Sequence, residues 1–465
     1  MYNLAISITI LLFSIGCNSS ESNLKKTSSL SPIDITLFGA KPNDNIDDTK
    51  AIKKALEVSG NITMPRGLYN VKGLIRVGKT IIDGNGSTFK SKLDTSNGGR
   101  TAKNIMTLSG DKIEIKNLLL DGAYTNGNSK EGTNVSSLLH IYDSKNILLD
   151  RVDTVNHASN WWSSKKFNFS VLNNNHKMDM YHVIYIGFSD HIIIKNMEQR
   201  ANIKTEGLLI YESDNIKIEN FKSVNSPNIW TSLHIVASDN IKMNHIDIGD
   251  GKSNQGGSSV NFIANHHFNL KNIKTINKQG FDISNEIRVK GLTGRITRDT
   301  SFGVFEDCHF EGQRAFYGYP TLHKGEELIF RNTKFIPTKE GYETWGVRIQ
   351  KAGSIKFENC IFGSSKFKTY GIIMGDSKEI TVQNCQFINP SIGIYIYGKK
   401  FGIVDIESSV FDGDNYSPIS FHWAKEGNLE EFRFKNNKIK GELINNKAYN
   451  ITRKFKIKNN ILELI

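Results

Sequence analysis

The chain has 465 residues, 38% of them hydrophobic, and its 59 Lys+Arg against 47 Asp+Glu leave a formal charge of +12. A single globular core rarely grows to this length, so the chain either divides into domains or extends in one dimension. The basic balance suits an anionic partner or serves only solubility; without an Arg-rich run, zinc-ligand spacing or helix-turn-helix pattern it does not point to nucleic acid, and acidic polysaccharide is the partner that fits.

Residues 4–15 form an apolar run too short to span a bilayer and placed like the core of a secretory signal. Ser14-Ile15-Gly16-Cys17 then resembles a bacterial lipobox. Residues 1–17 are therefore expected to be a lipoprotein-type signal peptide with Cys17 as the acylated residue, and the polar segment 18–31 a flexible tether. This implies an exported protein, lipid-anchored at the bacterial outer membrane or cell surface, with periplasmic or secreted location as the alternative. The lipid would be its only membrane contact.

Next come a short strand over 33–37 and a turn over 39–48 that ends in a helix N-cap at Asp47 or Asp48. Ala51, Ile52, Ala55 and Leu56 follow at helical spacing, so residues 32–60 read as a cap containing one amphipathic helix. Pro65-Arg66-Gly67-Leu68-Tyr69 and Ile82-Asp83-Gly84-Asn85-Gly86 are turn-punctuated strands. With Phe38-Gly39-Ala40 and Asp47-Asp48-Thr49-Lys50-Ala51-Ile52, these motifs in this order resemble the opening of the pectate-lyase-like superfamily. That resemblance implies an all-β, single-stranded right-handed parallel β-helix that acts on carbohydrate, its open end covered by the N-terminal α-helical cap.

The remainder, 61–465, repeats. Stretch 205–248 contains two similar copies, with Ser213-Asp214-Asn215-Ile216-Lys217 in one and Ser238-Asp239-Asn240-Ile241-Lys242 in the next; Asn220 and Asn244 end them, 24 residues apart. Such a period marks a solenoid, whose units must stack to bury their apolar faces. A strand ending in Asn or a stand-in recurs at Asn117, Asp150, Asn196, Asn220, Asn244, Asn272, Asp307, Asn332, Asn359, Asn384, Ser408, Asn436 and Asn459. These side chains are expected to form a ladder that bonds the backbone of the next rung. Cys360 and Cys385 share one repeat position, which favours stacked buried thiols over a disulfide or metal site. Loop insertions are expected near 121–137, 156–181 and 289–300. The second carries Trp161 and Trp162 beside Lys165 and Lys166, suited to stacking on a sugar ring or to burial beneath their own loop.

Aligning the repeats places His140, Tyr185, Leu209, His234, Asn261, Asp282, Arg348 and Tyr395 in one outward file, with Tyr211 two positions further along its strand. His234, Asn261 and Asp282 form the candidate centre, and Asp282 leads into Asn285, Glu286, Arg288 and Lys290. Two chemistries compete. β-Elimination from a uronate needs its carboxylate neutralised, by Arg288 or by a Ca²⁺ on Asp282, Asn285 and Glu286, with His234, Tyr211 or Lys290 as base and acid. No other cofactor is implied. Hydrolysis needs two carboxylates, Asp282 with Glu286 or Glu206. His140, Tyr185, Asn261, Arg348, Trp161 and Trp162 would bind substrate.

Family motifs are sparse. Only Arg288-Val289-Lys290 is similar to the Arg-Ile-Lys of polygalacturonase-like helices, whose Asp-Asp is missing from the central repeats. Iota-carrageenases resemble the rung texture, yet their Glu-x-Asp falls near 236–239, where the Glu is missing. The Asp-Pro-His-Glu of alginate epimerases is absent. The missing paired carboxylates favour a lyase over a hydrolase of the polygalacturonase or carrageenase kind; a non-catalytic carbohydrate-binding β-helix is the third reading. A monomer is expected.

Overall fold

Short alternating runs separated by polar corners bury one face only when stacked, and the computed structural model of the protein shows that stack. It describes residues 31–92, 104–123, 137–157, 182–201, 206–224, 231–249, 258–276, 279–284, 301–320, 326–339, 344–350, 352–398, 400–422, 427–441, 449–451 and 455–464. The signal peptide with Cys17, nearly all of the tether, most of the three insertions, and Trp161, Trp162, Asn285, Glu286, Arg288 and Lys290 lie outside the described residues.

Pro32–Ile465 forms one unit built on two sheets of 22 and 14 strands. Each turn lays a short strand on the smaller sheet and a longer one on the larger, as in Glu206–Tyr211 then Asp214–Val224, and Leu233–Val236 then Asp239–Gly249. Strands pair in parallel with the turn before and the turn after. The chain is thus a right-handed parallel β-helix, its hand the one that parallel crossovers take. Fourteen strands at ~4.8 Å make a stack on the order of 60 Å long.

Parallel register sets each inward side chain upon its counterpart. Ile184, Leu208, Leu233, Val260, Phe281, Phe316, Val347 and Ile372 make one such file, fully buried. Later turns use aromatics: Phe305, Phe330 and Phe357 stack at 4.8 and 5.0 Å, and Phe335, Phe362, Phe387 and Phe411 at 5.1, 4.9 and 4.4 Å. Each aromatic pair adds about 0.5–1.5 kcal/mol to the value of its buried area.

The longer strands bend at a residue in left-handed conformation, φ between 49° and 55° at Asn117, Asn196, Asn220, Asn272, Asp307, Asn332, Asn359, Asn384, Ser408 and Asn436. Asn and Asp take this conformation at least cost among residues with a Cβ, which accounts for the repeat. Three ladder positions require correction. Lys195 pairs with Asp150 and Glu219 with Asn244, so the bend falls one residue later, on Arg151 and His245; Asn459 pairs with Glu431, away from the bend. The bonds also differ from expectation, running between side chains. Asn196 Nδ2 donates to Asp150 Oδ1 (3.0 Å), Asn220 Nδ2 to Asn196 Oδ1 (2.9 Å) and Asn272 Nδ2 to Asn244 Oδ1 (2.9 Å).

Cys308, Cys360 and Cys385 are free and buried one residue beyond the bend. There the thiol does the work of a hydroxyl: the backbone N–H of Cys360 donates to Cys385 Sγ (3.4 Å), and that of Cys385 to Ser409 Oγ (3.1 Å).

At the N-terminus only Ile33–Asp34 is a strand. The Asp34 carboxylate accepts from Thr36 N–H (2.8 Å) and starts a 3-10 turn, Ile35–Phe38, in place of the longer strand expected. The cap helix, Thr49–Ser59, buries Ala51, Ile52, Ala55 and Leu56 and ends at Gly60, φ 65°, whose N–H closes on the Leu56 carbonyl (2.8 Å). Asp47 accepts from Thr49 N–H (3.0 Å), while Asp48 turns to the N–H groups of Lys41 (3.0 Å) and Asn70 (3.1 Å), tying helix to sheet. Among the described residues no helix is long and apolar enough to cross a membrane.

Candidate functional site

On the smaller sheet alternate residues face away from the core. The register places Thr107, His140, Tyr185, Leu209, His234, Asn261, Asp282, Tyr317, Arg348, Ile373 and Tyr395 in one outward file. All eight residues aligned from the sequence share it. Tyr317 and Ile373 occupy slots that alignment skipped, so Arg348 stands two rungs beyond Asp282, about 10 Å along the stack.

Facing outward does not make these side chains solvated. His140, Tyr185, Leu209 and His234 are at most 6% exposed, and Tyr185, Leu209, Tyr211, Val236 and Ile263 belong to a second apolar cluster outside the main core. Asn261, Asp282, Tyr317 and Arg348 are partly exposed. The file is thus polar and accessible from Asn261 to Arg348 and closes again at Ile373, which is apolar and buried.

The neighbouring file carries what the sequence reading missed. His182 and Glu206 face each other on adjacent strands, two residues before Ile184 and Leu208. Glu206 Oε2 lies 3.0 Å from His182 Nδ1 and 3.4 Å from His234 Nδ1, with the two rings 6.4 Å apart in an edge-on arrangement. Burial alone would raise the Glu206 pKa; the charge and hydrogen bonds of His182, and then His234, outweigh it and hold the carboxyl well below its usual range. The pair sits three residues before the central file, at the first position of each strand, a slot that alternation does not mark.

A carboxylate only accepts hydrogen bonds, so an imidazole nitrogen facing Glu206 must carry its proton. For His234 this leaves Nε2, which is buried without a partner among the described residues; so is Oδ1 of Asn261 on the next rung. When the His234 ring is neutral, its Nε2 and the amide oxygen are both acceptors, and side by side they suit a ligand that presents donors or gives up a proton.

Tyr211 is committed elsewhere: its hydroxyl donates to Glu212 Oε1 (2.7 Å), and burial together with that carboxylate raises its pKa. His140 stacks on Tyr185 with ring centroids 4.5 Å apart. Burial, then the charge of His182, lowers His140 to about 3. Glu206 and Asp282 stand three rungs apart, about 14 Å along the stack. Among the described residues no three His, Cys, Asp or Glu side chains gather as a metal-ligand set, and Asp282 is the one described member of the expected calcium group.

No known family profile and no curated protein matches the sequence. Solved structures do. The chain is similar to a mannuronan C-5 epimerase A-module from Azotobacter vinelandii at 11% identity, over 91% of this chain and 99% of that one, with a TM-score of 0.40. It is similar to a family 28 exopolygalacturonase from Yersinia enterocolitica (13% identity, 92% and 78% of the chains, TM-score 0.39). A third likeness is to a surface adhesin of Streptococcus pneumoniae, PfbA (14% identity, 89% and 91%, TM-score 0.37). The fold stands on this chain's own strand pairing, which makes it the right-handed parallel β-helix that the resemblance to the pectate-lyase-like superfamily implied.

Proposed function

We propose that the protein cleaves an acidic polysaccharide by β-elimination, with His234 as the base. The observation that carries this reading is the pairing of His234 Nδ1 with Glu206 at 3.4 Å while Nε2 stays buried and without a partner among the described residues. A carboxylate that fixes the tautomer and orientation of an imidazole makes its second nitrogen a proton acceptor. His234 Nε2 takes the proton at C5 of a uronate, the C–H electrons form the C4–C5 double bond, and the glycosidic oxygen leaves, taking up a proton. Asn261 Oδ1 accepts from a sugar hydroxyl and sets the ring against His234.

Neutralising the uronate carboxylate falls to Arg288 or Lys290, or to a Ca²⁺ held by Asp282, Asn285 and Glu286. Hydrolysis needs carboxylates ~5–5.5 Å or ~6.5–9.5 Å apart. The separation of Glu206 and Asp282, about 14 Å along the stack, weighs against that pair. The reading includes export and lipid anchoring through Cys17, supported by the apolar leader and Gly16-Cys17.

The test is incubation with polygalacturonate, alginate and iota-carrageenan, following unsaturated-uronate absorbance and reducing ends, with and without EDTA. New absorbance that is lost in His234→Ala is the expected result. Reducing ends without absorbance would replace the lyase by a hydrolase, and neither signal would leave a binding module. Loss of activity in EDTA, restored by Ca²⁺, would assign the metal.

A further inference from the structure

Several arginines in the stack face carboxylates: Arg331 pairs with Glu358 (2.7 Å), Arg433 with Glu431 (2.6 Å) and Asp405 (3.3 Å), and Arg200 with Glu198 (3.3 Å). Arg348 does not. Its guanidinium carbon lies 5.0 Å from the Trp345 ring centroid and 5.9 Å from those of Tyr317 and Tyr397, and Nη2 approaches the Tyr397 hydroxyl at 3.5 Å. The partners of Nη2 and Nε among the described residues are neutral: the Gln350 amide oxygen accepts from Nη2 (3.0 Å) and Nε (3.3 Å). Arg314 approaches the same indole, also at 5.0 Å.

Trp345 is 3% exposed, and its buried Nε1–H has no acceptor among the described residues. The Arg348 guanidinium and a buried indole donor thus converge with positive charge in excess. Rings and neutral oxygens hold the Arg348 plane in place without neutralising it, which leaves its charge and its Nη1 donors to an anion from outside.

We propose that Arg348, with Trp345, forms an anion-binding subsite for a carboxylate or sulfate ester on a polysaccharide lying along this face. It rests on the reading of the face as a polysaccharide surface. Arg348 stands four rungs from His234 in the same file, about 19 Å along the stack, so one ligand touching both must be an extended chain. The subsite grips that chain well away from the bond being cleaved, and short fragments that reach only one of the two points bind more weakly.

The experiment is affinity electrophoresis through gels containing polygalacturonate, alginate or iota-carrageenan, using His234→Ala so that no substrate is consumed. Retardation is expected in at least one gel: a uronate gel assigns a carboxylate, carrageenan alone a sulfate ester. Adding Arg348→Gln should raise Kd by about 10- to 100-fold, the loss expected of a charge-assisted contact. Arg348→Lys, which keeps the charge without the plane, should fall between the two and carries the test if the glutamine variant lowers the unfolding midpoint. An unchanged Kd in both, or no retardation in any gel, would overturn the subsite. Cleavage by the wild type with Arg348-independent binding defeats this inference alone, whereas Arg348-dependent binding without cleavage defeats only the proposed elimination.

Discussion

His234 turns Nδ1 toward Glu206 Oε2 at 3.4 Å and keeps Nε2 buried with no partner among the described residues. Glu206→Gln preserves shape but offers both a donor and an acceptor, so it no longer dictates which imidazole nitrogen carries the proton. We expect kcat to fall by about 10²–10⁴-fold with a smaller change in KM, the range for losing a general base or its orienting carboxylate. Initial rates of double-bond formation provide the check. An unchanged kcat would remove the dyad from the mechanism.

His140 predicts an acid-labile fold. Its pKa is lowered to about 3 by burial and the His182 charge, and the rings of Tyr185 and Tyr142 lie against it. Unfolded, it titrates near 6.5, so between these values the unfolded chain holds a proton that the folded chain does not. Stability is therefore lost as pH falls below about 6.5, with a slope approaching ~1.4 kcal/mol per pH unit from this residue. Glu206 acts at lower pH: its depressed pKa stabilises above the ordinary carboxylate value, and that contribution disappears as the pH drops further. Urea midpoints at about pH 7.5, 6 and 5 should decline less steeply for His140→Gln than for the wild type. Equal slopes would show that His140 is not the source.

Most of the fold was legible because a parallel solenoid writes each rung in the same alphabet. Leu208, Leu233 and Val260 can be aligned by eye, and the alignment is the register. The ladder slipped at Asp150 and Asn244 because the signal was a residue type, whereas the structure requires a left-handed bend that Arg151 and His245 also supply. The site was half legible. His234 and Asn261 follow from alternation alone, but His182 comes directly after a long insertion that hides the repeat, and a slot at the very start of a strand carries no periodic mark. Burial of the outward file was not legible either, since alternation distinguishes the two sides of a strand and does not report what covers each.

The thiols offer a test of the corner ladder. Burial drives Cys308 up to about 12 and Cys360 well above its ordinary value, so little thiolate is available for reaction. Cys308, Cys360 and Cys385 should resist a thiol reagent at about pH 8 in the native protein and react together in denaturant. Thr333 and Ser409 fill equivalent slots with hydroxyls, each donating to a backbone carbonyl two residues back. Cys385→Ser should therefore cost less than about 1 kcal/mol and Cys385→Ala about 1–3 kcal/mol, since alanine leaves the Cys360 N–H without an acceptor. Denaturant midpoints of the two variants decide it; equal losses would mean that the sulfur only fills space.

Gly207 links the scaffold to the candidate site, because it follows Glu206 directly and leaves no room for a side chain. A Cβ there would lie 2.5 Å from Gln199 Oε1 and 2.8 Å from the Ser232 carbonyl carbon on the next rung. Gly207→Ala must push strand Glu206–Tyr211 away from Leu233–Val236, and it is this spacing that brings Glu206 to His234. Overpacking of this kind costs about 1–3 kcal/mol, and a shift near 1 Å at the dyad lowers kcat by about 10²-fold. Gly249→Ala is the control: it also lies in a strand of the stack, and an added Cβ there meets nothing within 4 Å. Elimination rates should fall in Gly207→Ala at temperatures where circular dichroism reports a folded chain, while Gly249→Ala matches the wild type. Full activity in Gly207→Ala would mean that the Glu206–His234 spacing does not limit the reaction.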